Sequence, residues 1–226
     1  MNFAMVVEFA CLLERHRTRR LIGTDLFVVP TIGFDLLYAL VIVRLDRRDL
    51  VLTNVTANPT AEWIAHQLTE AFPWNEAPHY LVRDPDRIYG IIVRRRLHAM
   101  GIRDKPIAPA SPWQNSFAER LIGSIRRECV DHIVVLGETH LRRILQTYAC
   151  YYNNIRTHRS LDKDAPVPRR VQPTGSTLSL VDFITITFES RFSVHTAKSG
   201  HQKAMRRHCC NDVSRLRRGW PLHHMW

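Results

Sequence analysis

Cysteine is scarce in this sequence, with five in 226 residues, at positions 11, 129, 150, 209 and 210. An odd, scattered set builds no disulfide framework, and a reducing compartment is the simple reading. No apolar run approaches the roughly 20 residues that a membrane span requires. The N-terminus "MNFAMVVEFACLLERHRTRR" is apolar first and basic afterwards, the reverse of a secretory signal, and it lacks a small-residue cleavage site. Internal repeats are absent too. Acidic residues are outnumbered, 21 against 32 lysines and arginines, for a formal net charge of +11 and a pI near 10.0. Such a chain attracts polyanions, nucleic acid before anionic membrane.

What is present reads as one medium-sized α/β domain with appendages. "IGTDLFVVP" (22–30) is an apolar run ended by proline, buried on both faces like a central strand. "FDLLYALVIVR" (34–44) and the β-branched "LVLTNVT" (50–56) follow around a polar turn and predict a hairpin. "NPTAEWIAHQLTEAF" predicts a helix, with Asn58 or Thr60 as its cap. "PHYLVRD" is a short strand ending in acid, "RIYGIIVRRRLHAMG" a helix closed by Gly101, and "DKPIAP" a short extended piece. A long helix then runs to about residue 132, with Phe117, Leu121, Ile125 and Ile133 on one stripe, and another covers 139 to about 158. The order β-β-β-α-β-α-β-α-α suits a mixed sheet with helices on both faces.

Three carboxylates stand out. Asp25 interrupts an otherwise apolar strand, where an unpaired charge costs several kcal/mol. Asp84 follows the strand "HYLV". Glu119 lies one turn into the long helix and completes Ser116-x-x-Glu119, a capping box. Each has an ordinary explanation: a strand-end acceptor, a turn residue in "RDPD", a cap. If the two strands are neighbours and the helix crosses the sheet edge, however, the carboxylates converge, and oxygen ligands in that number select Mg²⁺ or Mn²⁺.

The stretches "GTDLFVVPT", "LVRDPDRIYG" and "SPWQNSFAERLIGSIRREC", with the later "YYNNIRTHRSL....P", resemble the catalytic core of retroviral-type integrases and bacterial insertion-sequence transposases. The resemblance covers about residues 22 to 172. It implies an RNase H-like mixed five-stranded sheet with helices on both faces. Residues 1–20 would be an N-terminal extension, 21–172 the core, and 173–226 a poorly defined basic tail. The family's Asp, Asp and Glu fall on Asp25, Asp84 and Glu119, and Glu119 lies 35 positions after Asp84. Asp86 is the competing second acid, because proline at 85 and aspartate at 86 depart from the family pattern.

The activity implied is metal-dependent DNA cleavage and strand transfer (DNA integration and recombination), using two Mg²⁺ or Mn²⁺ ions when DNA is bound. The partners implied are element ends, target DNA and further copies of the chain, in the bacterial cytoplasm at the nucleoid. Trp113, Gln114, Asn115, Arg120, Arg126, Arg127, Arg156 and His158 are the expected DNA-contacting residues. Arg156 and His158 have a bracing role as their alternative, and Trp113 a core role. No helix-turn-helix precedes the core, and the tail reads as if out of frame. The other reading is therefore a truncated or frameshifted remnant that binds DNA without chemistry. Cys209, Cys210, His201, His208, His223 and His224 lack Cys-x-x-Cys spacing, so zinc is not expected. The arginines at 94 to 96 read as solvated surface.

Overall fold

The computed structural model describes residues 21–72, 77–108 and 111–168. The readings made for residues 1–20 and 173–226, including the six-residue His/Cys group, lie outside them. Strands β1 (Leu21–Pro30), β2 (Leu36–Arg44) and β3 (Leu50–Thr56) come first. Helix α1 (Ala61–Ala71), β4 (Tyr80–Arg83), α2 (Ile91–Ala99) and β5 (Arg103–Pro106) follow. Helices α3 (Ser116–Glu128) and α4 (Glu138–Asn154) complete the core. The five strands form one sheet in the order β3-β2-β1-β4-β5. The β1–β2 and β2–β3 pairs are antiparallel, whereas β1–β4 and β4–β5 are parallel. The predicted element order holds.

Side-chain alternation divides the sheet into two faces. Leu21, Phe27, Val29, Val41, Val43, Tyr80 and Val82 pack with Leu121 and Ile125 of α3 and Leu141, Leu145 and Tyr148 of α4. Ile22, Leu40, Ile42 and Leu81 pack with Ile64 and Leu68 of α1 and Val93 and Leu97 of α2. The sheet is thus buried on both sides, which explains the nearly unbroken apolar runs of β1 and β2. Each leucine or isoleucine hidden this way stabilises the fold by about 1.5–3 kcal/mol. Cys129 and Cys150 are buried free thiols. Among the described residues, no helix is long and apolar enough to cross a membrane.

Local chemistry sets the ends of the elements. The Thr60 hydroxyl accepts from Trp63 N at 3.2 Å and caps α1. The capping box that Ser116-x-x-Glu119 offers as the ordinary alternative does not form. A 3-10 turn over Pro112–Asn115 runs straight into the helix, Asn115 is the N-cap, and no side chain closes the cap. Ser116 is consequently already inside the first turn. Helix α3 also stops at Glu128, with a short 3-10 turn after it at Val130–His132, four residues earlier than expected. Helix α4 ends at Asn154 rather than near 158.

Candidate active site

Strand alternation decides where the acids point. Leu21, Phe27 and Val29 face α3, so Asp25, at the same parity, is directed to that side. Tyr80 and Val82 of β4 also face α3, which gives Asp84 the same side. The β1–β4 ladder ends with Thr24 opposite Arg83, and the next step brings Asp25 and Asp84 abreast. Helix α3 runs along β1. At its start a Cβ on Gly23 would meet Asn115 Oδ1 at 3.2 Å. Further on, Arg126 Nη2 donates to Val28 O at 3.0 Å. Glu119 lies between these contacts, beside Asp25.

The Asp25 carboxyl is half-buried, and Leu26 N donates to its Oδ1 at 2.7 Å. Its pKa is raised to about 7, first by burial, against the pull of the Leu26 N–H, and then by the charges of Asp84, Glu119 and Asp86. One carboxylate thus senses three others, and among the described residues no basic side chain offsets them. Such a cluster suits a hard divalent cation by donor chemistry. As placed, however, no three acidic, histidine or cysteine side chains among the described residues are drawn together tightly enough to hold one ion. Glu119 is exposed at the first turn of α3 and keeps its rotamer freedom.

Asp84 is held from several directions. Asn115 Nδ2 donates both to Asp84 Oδ1 at 3.1 Å and to Thr24 O at 3.2 Å, tying the second acid to the strand of the first. Arg83 Nη1 donates to Asp84 O at 2.9 Å. The Arg83 guanidinium is itself buried, paired to both oxygens of Asp104 at 2.8 and 2.7 Å and stacked 4.9 Å from the Tyr89 ring centre. Tyr89 is buried, and its hydroxyl makes no hydrogen bond of good geometry. It lies near Thr24, Asp25 and Asp84, and burial raises its pKa. Asp86 is exposed and turned to local work, its Oδ1 accepting from Ile88 N at 3.1 Å.

The residues expected to touch DNA divide into outward and inward groups. Arg120 and Arg127 are exposed. Arg120 reaches over the Phe117 ring at 5.9 Å. Arg127 folds back over Gly123, where a Cβ would meet its Nη1 at 3.1 Å. Arg126 is partly buried and lies 5.5 Å over the Phe27 ring. Gln114 and Asn115 are buried. The Gln114 Oε1 accepts from Ala108 N at 2.9 Å, and the Asn115 amide is engaged as described. The Trp113 backbone lies in the 3-10 turn, and its side chain is outside the described set.

Arg156 and His158 are not with the acids. Arg156 pairs with Glu128 through Nη2–Oε1 at 2.6 Å and Nε–Oε2 at 2.9 Å. His158 is buried and meets Tyr152 edge-on at 4.9 Å. Burial first, then the charges of Arg156 and Arg48, lower its pKa to about 4, so the ring is neutral at pH 7. This group braces the far end of α3, roughly 13 Å from Glu119 at 1.5 Å per residue. Sequence reasoning missed Asn115 as the link between the acids, and it missed the Arg83–Asp104 pair beneath Asp84. The available hints were glycine inside β1 and an arginine ending β4.

Comparison with known proteins agrees with this architecture. Residues 100–166 match the family model described as "Integrase core domain", a span that includes Glu119 but neither aspartate. No curated protein matches the sequence. A chain of the simian T-cell lymphotropic virus intasome superposes with a TM-score of 0.55 at 14% identity, covering 71% of this chain and 60% of that one. The HTLV-2 integrase catalytic core domain, solved in complex with magnesium, gives 0.53 at 9% identity, over 66% of this chain and 93% of that one. The catalytic domain of Mos1 mariner transposase gives 0.53 at 13% identity, over 63% and 76%. The chain thus spans less than two thirds of the simian viral protein. The fold is that of the integrase and transposase catalytic cores, RNase H-like.

Proposed function

We propose that the chain is the catalytic core of a DNA transposase or integrase, cleaving and joining DNA strands with Asp25, Asp84 and Glu119 as its acids. The observation that carries this reading is the Asp25 carboxyl, half-buried on a central strand and raised to about 7 by burial and by neighbouring acids rather than matched by a cation. A fold that keeps such a group retains an uncompensated charge, and uncompensated acids concentrate at functional sites. The fold likeness to integrase and transposase cores points the same way.

Asp25, Asp84 and Glu119 would hold Mg²⁺ or Mn²⁺, as two ions with DNA present. Bound there, the ions would polarise the phosphodiester and offset the charge that develops on its oxygens. Asp25 sits on the most constrained strand, flanked by β2 and β4, and is the fixed point of the set. The Asn115 amide orients Asp84, and Arg83 holds the backbone of the same residue. Between Asp84 and Asp86, the support from Asn115 favours Asp84, since the Asp86 oxygen is engaged in its own turn. Glu119, on an exposed helix turn, supplies the adjustable ligand. In the reaction, water attacks phosphorus and the bond to the 3′-oxygen breaks. The freed 3′-hydroxyl then attacks a second phosphodiester. No protein side chain is a nucleophile. Element ends and target DNA are the substrates, and a homo-oligomer on DNA is the working form, with Arg120 and Arg127 exposed to meet phosphates.

The test is nicking of duplex DNA in Mg²⁺ or Mn²⁺ by the full chain and by Asp25→Asn, Asp84→Asn and Glu119→Gln. Each substitution is expected to lower the rate at least about 100-fold, the scale on which removing one transition-state stabiliser acts. Unchanged rates in all three overturn the reading. DNA binding by the parent without any nicking in either metal would instead favour the non-catalytic remnant.

A further inference from the structure

We infer that the outer side of α2 and the neighbouring turn into β5 form a second polyanion surface, which holds backbone phosphates of duplex DNA leading away from the acids. Val93 and Leu97 are buried and fix the rotation of α2. Arg94, Arg95, Arg96 and His98 are consequently all exposed. Arg94 and His98, one helical turn apart, line a shallow, open concavity together with Gly101, Ile102, Arg103 and Asp104.

Among the described residues the charge of Arg94, Arg95 and Arg96 is not matched by an ion pair. Asp104 is the acid in the concavity, and both of its oxygens are taken by Arg83. Arg103 is steadied from the sheet side, with Nη1 donating to the Tyr80 hydroxyl at 2.8 Å. Arg96 and His98 stand in the last turn of α2, where cations offset the helix dipole. Arg94 and Arg95 have no such duty.

The position favours a long anion over a small one. The loop after Asp84 leads through Gly90, the N-cap of α2, so the helix starts beside the acid site. Arg94 then lies about 6 Å and His98 about 12 Å along the helix axis. Over about 12 Å a duplex presents roughly seven charges. Arg95 and Arg96 continue the basic surface outside the concavity, as a polyanion would require and a free phosphate would not. The inference rests on DNA being the ligand of the acid site, but its test does not require cleavage.

The test uses the full chain carrying Asp25→Asn, in EDTA, with a 30-base-pair duplex of arbitrary sequence, and follows affinity against salt. Replacing Arg94, Arg95 and Arg96 by Gln is expected to reduce the slope of log affinity on log salt by about three, near one per phosphate contact. The matched Lys triple is expected to keep the slope. A control triple elsewhere, Arg143→Gln, Arg159→Gln and Lys163→Gln, all exposed, is expected to change it by less than about one. Equal losses in the two Gln triples mean diffuse charge only and overturn the inference. An unchanged slope in the α2 triple also overturns it, as does a loss seen on single-stranded RNA but not on the duplex, or a parent that binds no duplex at all. Nicking by the chain without Asp25→Asn, read separately, decides the catalytic reading. A surface-dependent slope without nicking leaves this inference standing and removes that reading.

Discussion

The two ends of α3 each carry a glutamate, and the protein treats them in opposite ways. Glu128, at the C-terminal end, accepts from Arg156 and from the Tyr148 hydroxyl at 3.0 Å, among packed aromatic rings. Glu119, at the N-terminal end, is exposed and faces other acids. The same side chain on the same helix is therefore structural in one place and free in the other. A structural acid arrives with its cation, because a buried carboxylate without one is destabilising. The acids at the other end have no such partner among the described residues, and Asp25 shows the consequence in its raised pKa. That contrast separates the bracing group from the candidate active site more sharply than any motif.

The comparison can be broken most forcefully at Glu128. Substituting Arg156→Met leaves its carboxylate without a cation among the tyrosines, and about 3 kcal/mol of stability should be lost, read as a lower denaturation midpoint. Nicking by the remaining folded fraction should persist. Glu119→Gln should do the reverse, abolishing nicking with an unchanged melting temperature. If Glu119→Gln unfolds the protein as Arg156→Met does, the two ends are not different in kind.

Asp25 gives the next largest effect. Its folded pKa of about 7 lies above the unfolded value of 3.8, so the folded state holds this proton more tightly. The carboxylate therefore destabilises the fold fully above pH 7, and less as pH falls towards 4. Asp25→Asn should raise stability at pH 8 by on the order of 2–4 kcal/mol, with the gain fading near pH 4. Mg²⁺ or Mn²⁺ should stabilise the parent at pH 8 and the variant much less. Thermal melts at both pH values, with and without metal, check the sign.

Much of this arrangement was legible in the sequence. The strands were visible because a sheet covered on both faces needs continuous apolar runs, and Asp25 stood out as the charge within one. The resemblance to integrase and transposase cores then pointed to Asp84 and Glu119. The direction of polar side chains was not legible. Gln114 and Asn115 read as amides that reach DNA, yet both are buried, with their side chains engaged by Ala108 N, Thr24 O and Asp84 Oδ1. Asn115 contacts Asp84 across 31 positions of sequence, and nothing local announces that pairing. Arg156 and His158 looked equally suited to DNA or to bracing, and only tertiary contacts show where they sit, Arg156 on Glu128 and His158 against Tyr152.

Asn115 offers a finer cut, since it joins the acid end of α3 to both strands. Asn115→Ala removes the donor shared by Thr24 O and Asp84 Oδ1 and should cost about 1–2 kcal/mol of stability. Nicking should fall about tenfold, with more metal needed for half-maximal rate, since Asp84 loses its orientation. A rate loss with an unchanged metal requirement would mean that Asn115 supports the fold alone.

The smallest effect tests the same contact from the strand side. A Cβ on Gly23 would stand 3.2 Å from Asn115 Oδ1, with Leu45 and Val43 methyl groups at 3.5 Å. That is tight without being a collision, so Gly23→Ala should shift the Asn115 side chain by a few tenths of an ångström. The strand itself accepts alanine and gains slightly from its lower backbone entropy cost. Stability should therefore change by less than about 1 kcal/mol, while nicking falls a few-fold through the displaced amide. The double variant Gly23→Ala/Asn115→Ala should be no slower than Asn115→Ala alone, because the residue that transmits the effect is already gone. Additive losses in the double variant would place the influence of Gly23 on β1 itself and not on the link from Asn115 to Asp84.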